Sequence, residues 1–307
     1  MTATGIIRKT LVVDGNNLLV RAVFAAKGGR VHLSNHDGVP TAALHIFINL
    51  LAKYVRQESP DNMVVCWDGG RSSSRTALFS EYKGQRAERP EEEDRDRPFS
   101  QAKEFLSLAG IHHVERPGVE ADDLVAAHWA GKHSSERMVI LSADKDFLQL
   151  LDGWTEQIRP GTGIDERWTR SRVRGEFGCT PEQYRLVMAL MGDASDGIPG
   201  VPGFGLKTSV KMLSKYGWSL EALLDSNERK VLGARTTALR NLDLVSLPGP
   251  FAQREMYAPK FAPTTVISMA WPALEAYLLR YDLAVVRGQI ATGSLWSQHP
   301  ATDLARP

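Results

Sequence analysis

Short apolar runs alternate with amphipathic stretches along the first half of the chain. Residues 6–13, 63–67, 111–115 and 138–142 are apolar runs bounded by polar or glycine-containing segments, and they predict strands. Between them Leu44, Phe47, Ile48, Leu51 and Val55 recur at helical spacing, which predicts a helix over 41–55; 101–109 and 121–130 also read as helices. Strands alternating with helices predict a mostly parallel α/β sheet with helices on both faces. In such a sheet ligands gather at the carboxyl ends of the strands. From residue 181 the pattern turns helical, with helices over 181–191 and 206–216 and another over 272–281. Pro181 suits a first helical turn. The Gly- and Pro-rich stretch 192–205 between the first two of these helices reads as a tight hairpin.

Where the apolar pattern breaks, it breaks at acids. Asp14, Asp68 and the Asp144/Asp146 pair follow apolar runs, Glu120, Asp122 and Asp123 open a helix, and Asp193 and Asp196 lie in the hairpin. Carboxylates brought together repel one another unless cations neutralise them. An all-oxygen set without His or Cys suits a hard divalent ion, Mg²⁺ or Mn²⁺. The residues therefore point first to a magnesium-dependent enzyme acting on phosphates. The formal net charge of +1 does not itself announce a polyanion partner, though local distribution is what a ligand meets. Cys66 and Cys179 offer neither a disulfide framework nor metal spacing and read as reduced thiols of a cytoplasmic protein. Neither a signal peptide nor a membrane-spanning run is expected.

Two segments carry further chemistry. Residues 83–98 are almost wholly charged and read either as a solvated loop or as a flexible segment over the acidic edge. In the hairpin, Gly200, Gly203 and Gly205 would let backbone N–H groups approach a phosphate, and Lys207 and Thr208 open the next helix. A Walker A loop is excluded, because Leu206 separates Gly205 from Lys207 and no strand precedes the loop.

Val13-Asp14-Gly15-Asn16-Asn17-Leu18, Glu120-Ala121-Asp122-Asp123, Ser142-Ala143-Asp144-Lys145-Asp146 and the run from Gly192 to Thr208 together resemble the 5′-nuclease family. That family includes the nuclease domain of bacterial DNA polymerase I and stand-alone flap endonucleases of phages and bacteria. The resemblance implies a doubly wound α/β fold with a helix-hairpin-helix (H3TH) DNA-binding region and a flexible helical arch. It implies a catalytic domain over 1–178 with the arch near 80–100, a helix-hairpin-helix region over 179–290 and a disordered tail over 291–307. Nothing after the nuclease resembles a polymerase, so a stand-alone monomer is expected.

Carried over position by position, Asp14, Asp68, Glu120, Asp122 and Asp123 match ligands of a first metal. Asp144 and Asp146 match positions where that site meets a second, and Asp193 and Asp196 match ligands of the second. Tyr82, Lys83 and Arg86 match residues at the base of the arch, and Arg21 an arginine behind the site. Gly200, Val201, Gly203, Gly205, Lys207 and Thr208 match the element that grips duplex DNA and holds K⁺. The implied reaction is two-metal-ion hydrolysis of DNA bearing a 5′ flap, a nick or a free 5′ end, with RNA primers of RNA–DNA hybrids as further substrates. Lys83 and Arg86 would stabilise developing charge, and Tyr82 would stack on an unpaired base. Gly197 departs from the family, where Asn is common, and 91–94 is unusually acidic for an arch. Two rivals are a PIN-like ribonuclease and a branched-DNA-binding module without chemistry.

Overall fold

The computed structural model describes residues 7–29, 33–84, 93–249 and 269–296. Arg86 lies outside these residues. Six strands, β1 (Lys9–Asp14), β2 (Asn62–Trp67), β3 (His113–Glu115), β4 (Arg137–Leu141), β5 (Thr155–Arg159) and β6 (Glu166–Trp168), form one sheet in the order β3-β2-β1-β4-β5-β6. All neighbours are parallel except β6, which runs antiparallel to β5. The central strand owes its place to its composition. Leu11, Val12 and Val13 are wholly buried, as a strand covered on both faces requires. Leu11 and Val13 pack with α1 (Gly15–Gly28), α2 (Ala42–Glu58) and α4 (Glu93–Leu108), whereas Val12 packs with α5 (Ala121–Gly131) on the other face. Chain order reverses at β1, which lies between β2 and β4. The crevice at its carboxyl end is where such sheets bind ligands.

The expected doubly wound, mostly parallel sheet is present, with differences at three places. Helix α1 was not foreseen: its first residues, Gly15-Asn16-Asn17, are poor helix formers, but Asp14 caps it by accepting the Asn17 N–H at 3.0 Å. Buried Leu18, Leu19 and Ala22 then hold it to the sheet. Helix α4 begins eight residues before the predicted 101, inside the segment read as a charged loop. Pro98, the sixth residue of α4, removes one intrahelical hydrogen bond, a cost offset by the complete burial of Ala102, Phe105 and Leu106. A short helix, α3 (Ser73–Leu78), follows β2, and a 3₁₀ turn, Lys145–Leu150, follows β4.

A second apolar cluster lies under α6 (Arg170–Phe177), α7 (Pro181–Met191), α8 (Leu206–Lys215), α9 (Leu220–Leu224) and α10 (Arg235–Val245). It also takes in Tyr82, Leu148 and Leu151, which joins this helical unit to the sheet. The last two helices, α11 (Trp271–Arg280) and α12 (Ala284–Ala291), depart from the expected single region over 179–290. Their Leu274, Tyr277, Leu278, Val286 and Ile290 join the core of α1, α2 and α4 instead. The expected loose tail from 291 is corrected in its first part, because Leu295 is fully buried in that core. Residues 297–307 lie outside the described residues.

Candidate active site

Topology brings the acids together. Asp14 ends β1, Asp68 follows β2, Asp144 and Asp146 flank the start of the 3₁₀ turn after β4, and Glu120 stands at the N-terminus of α5. Asp193 and Asp196 come from the loop after α7, which packs against the 3₁₀ turn.

Short polar side chains fix this arrangement. Ser142 Oγ donates to Asp14 Oδ2 at 2.8 Å and accepts from the Asp144 N–H at 3.1 Å. Asp144 Oδ1 in turn accepts the Asp146 N–H at 2.9 Å. Asn16 Oδ1 holds the Asp68 amide at 2.9 Å and Asn17 Oδ1 the Ala143 amide at 3.0 Å, so the start of α1 ties the ends of β2 and β4. Asp68 Oδ1 accepts the Ala121 N–H at 2.7 Å, docking the first turn of α5 beside it. There Glu120, Asp122 and Asp123 each place a carboxylate oxygen within 4.8 Å of the others.

Among the described residues Arg75, Lys83 and Lys145 reach these acids, and of these sequence reasoning had assigned only Lys83. Lys83 Nζ donates to Glu120 Oε1 at 2.7 Å and lies 3.8 Å from Asp196 Oδ2, bridging the two acidic groups. Its backbone is left-handed, with φ 53°, and its amide is held by Asp196 O at 2.8 Å. Buried Arg75 binds Glu120 Oε2 and Asp123 Oδ2 through Nη1, each at 2.7 Å, and Asp123 Oδ1 through Nη2 at 2.9 Å. Lys145 Nζ reaches Asp193 Oδ2 at 3.2 Å.

The electrostatics report mutual repulsion. Burial pushes the Asp14 carboxyl up to about 7, and Asp68 and Asp144 add to the effect. Asp146 is driven well above the carboxylate range by burial and then by Asp144, Asp193 and Asp122. Burial raises Asp144 and Asp123 as well, with Asp122 adding to both. Asp193 is the contrast: burial would raise it, but hydrogen bonds from Ser195 and the charge of Lys145 outweigh this and hold it low. Asp146 Oδ1 is buried and has no hydrogen-bond partner in the structure. A buried oxygen without a donor, in an all-carboxylate set that repels itself, fits divalent cations.

A measurable consequence follows for the protein without metal. Asp14 is raised, so its contribution to stability is full below its unfolded pKa near 3.8 and is lost as pH rises through about 7. The thermal midpoint in chelator is expected to fall by roughly 5–10 °C between pH 5 and pH 8, and Mg²⁺ should abolish most of that fall. A midpoint that rises with pH in chelator would refute the raised Asp14 carboxyl.

Other expected site residues take different positions. Tyr82 is corrected: its ring is buried in the helical unit's core and cannot offer a face to a base. Its hydroxyl instead donates to Glu120 Oε2 at 3.0 Å, which makes it a holder of a carboxylate. Arg21 braces the loop after β5 through Gly161 O. In the hairpin, the Val201 side chain is buried and its N–H is spent on Leu190 O at 2.8 Å, so neither is open to a phosphate. Gly200 is needed for close packing, because a Cβ there would stand 2.1 Å from Met191 O. Gly203, Gly205 and Lys207 are exposed at the start of α8, and Thr208 is half-buried.

The model for the 5′-3′ exonuclease N-terminal resolvase-like domain matches residues 9–178, and that for the 5′-3′ exonuclease C-terminal SAM fold matches 179–245. The chain belongs to the 5′-3′ exonuclease family. A 5′-3′ exonuclease of Aquifex aeolicus is 37% identical over 224 residues, covering 72% of this chain and 74% of that one. DNA polymerase I of Bacillus subtilis is 40% identical over 223 residues, 71% of this chain. The match spans only 24% of that polymerase. A bacteriophage T5 flap endonuclease, solved with DNA and metal ions, has the same fold: TM-score 0.65 at 23% identity, covering 88% of this chain and 98% of that one. The fold and family expected from the motifs are thus both present in this 5′-3′ exonuclease relative. Among the described residues no helix is long and apolar enough to cross a membrane.

Proposed function

We propose that the chain hydrolyses phosphodiesters near the 5′ end of branched, nicked or flapped DNA, as flap endonuclease and 5′-3′ exonuclease, in the service of primer removal and repair. The convergence of nine acids from five segments, with a buried Asp146 oxygen left without a donor, carries this reading. A DNA-binding module without chemistry would bear the repulsion of that cluster for no return.

Asp14, Asp68, Glu120, Asp122 and Asp123 would serve one Mg²⁺ and Asp193 and Asp196 a second, with Asp144 and Asp146 where the two sites meet. Bound divalent ions supply Lewis-acid charge beside the scissile phosphate. The chain's own residues do the rest. Lys83 stays protonated: burial alone would lower its pKa, but Asp122, Glu120 and Asp196 outweigh burial. Its ammonium therefore offers a fixed positive charge where a phosphate develops negative charge. Tyr82 and Arg75 hold Glu120 in place. Arg86 at the base of the arch is proposed to share the work of Lys83, and Arg21 to line the path of the DNA.

The exposed start of α8, with Gly203, Gly205, Lys207 and Thr208, is proposed to meet a duplex backbone, where contacts carry no sequence information. K⁺ is proposed to join the hairpin there. The acids address phosphate rather than sugar, so the RNA end of a hybrid is proposed as a substrate too. Lys207→Ala is expected to weaken binding of unrelated duplexes alike and to lower the slope of log K against log salt by about one. An unchanged slope would remove Lys207 from the phosphate contacts.

The test is a labelled 5′-flap DNA cut by the purified chain, as a monomer, with Mg²⁺ or with chelator. Metal-dependent cutting near the junction supports the proposal. Binding without cutting in Mg²⁺ would favour the non-catalytic module, and cutting of single-stranded RNA alone would favour the ribonuclease.

A further inference from the structure

Of the described arginines and lysines, only Arg75 is buried, and it sits where two parts of the molecule meet. One side of its guanidinium binds Glu120 and Asp123. Its Nε donates to Leu244 O at 3.1 Å, in the last turn of α10. The chain just beyond that turn reaches the same acid: the Gly249 N–H donates to Asp123 Oδ1 at 3.1 Å. It also reaches the 3₁₀ turn that carries Asp144 and Asp146. Gln149 Nε2 donates to Val245 O at 3.0 Å, and Gln149 Oε1 accepts the Leu247 N–H at 2.9 Å.

One turn earlier in α10, wholly buried Asn241 donates to Pro199 O of the hairpin at 2.7 Å and to Ala189 O of α7 at 3.1 Å. Helix α10 is therefore pinned to the hairpin by Asn241 and to the acids on α5 by Arg75.

We propose that Arg75 is a positioning residue: it fixes Glu120 and Asp123 relative to α10, and so sets the metal-holding acids in register with the hairpin that meets the duplex. This rests on the metal-site reading above. A bare counter-charge would not need this geometry. The flat fork of arginine serves three oxygens and a carbonyl at once, which the single ammonium of lysine cannot reproduce. Charge neutralisation alone would be preserved by lysine; positioning would not.

The experiment compares the full-length chain with Arg75→Lys and Asn241→Ala, measuring the rise of the thermal midpoint as Mg²⁺ is titrated, and kcat and KM on flap DNA. For Arg75→Lys the half-saturating Mg²⁺ is expected to rise about tenfold or more, with kcat lowered and KM for DNA within about twofold. Asn241→Ala touches no acid, yet is expected to raise half-saturating Mg²⁺ by about threefold. A folded Arg75→Lys with wild-type Mg²⁺ dependence overturns the proposal. If that variant does not fold, Asn241→Ala decides: a lowered midpoint with unchanged Mg²⁺ dependence overturns it. A wild-type midpoint that ignores Mg²⁺ would sink the metal-site reading itself, and the inference with it.

Discussion

Asp144→Ala is expected to lower flap cleavage by about a thousandfold or more while raising the midpoint of thermal unfolding in chelator. Both effects come from one position. Asp144 lies within the chain of contacts that runs from Asp14 through Ser142 to Asp146, and its charge meets those of Asp122 and Asp193. Losing a carboxylate proposed to lie where two ions meet would forfeit several kcal/mol of charge stabilisation, and each 1.36 kcal/mol is worth about one decade of rate. In the protein without metal the same deletion relieves repulsion, so stability is gained where function is lost. The side chain also caps the 3₁₀ turn by accepting the Asp146 N–H. Asp144→Asn separates the roles: Asn caps well, so this variant should keep the turn and still lose cleavage. Turnover of either variant within tenfold of wild type would remove Asp144 from the metal site.

The acids were legible in the sequence because a parallel sheet gives them one place to go. An Asp that closes a run such as Leu11-Val12-Val13 must emerge at the carboxyl edge, and so must Asp68 and Asp144. Their counter-ions were not legible. Arg75 follows Ser72-Ser73-Ser74, and nothing local says that α3 will carry it beneath Glu120 and Asp123. Lys145 lies between two acids in sequence, yet it reaches a third, Asp193, from another element. Such pairings are set by tertiary packing alone.

The same holds for α1, where Leu18, Leu19 and Ala22 buried on the sheet override a weak helical start. Tyr82 shows the converse error. The resemblance placed Tyr82 as a stacking platform, but its ring completes the core under α7 and its hydroxyl faces the acids. The hairpin divided in the same way: its glycines were visible, but Gly200 serves the approach to Met191 O, while Gly203 and Gly205 remain open.

Lys83→Ala should separate chemistry from binding. The ammonium stands between Glu120 and Asp196, one from each acidic group, so no other cation that reaches these acids among the described residues spans both. Removing one preorganised charge donor costs about 10²–10³ in kcat. The loss is expected in kcat, with KM for flap DNA changed by less than about threefold, because a half-buried, carboxylate-bound ammonium adds little to the encounter with DNA. Deletion also leaves Glu120, among the described residues, with only Arg75 and Tyr82 as side-chain partners, so the metal-free variant should be less stable than wild type, opposite to Asp144→Ala. Since the neighbouring acids keep Lys83 charged, the kcat ratio of wild type to variant should stay flat between pH 7 and pH 9. A ratio that collapses over that range would show that Lys83 loses its proton there and acts as a base. A rise in KM at unchanged kcat would reduce it to a DNA contact.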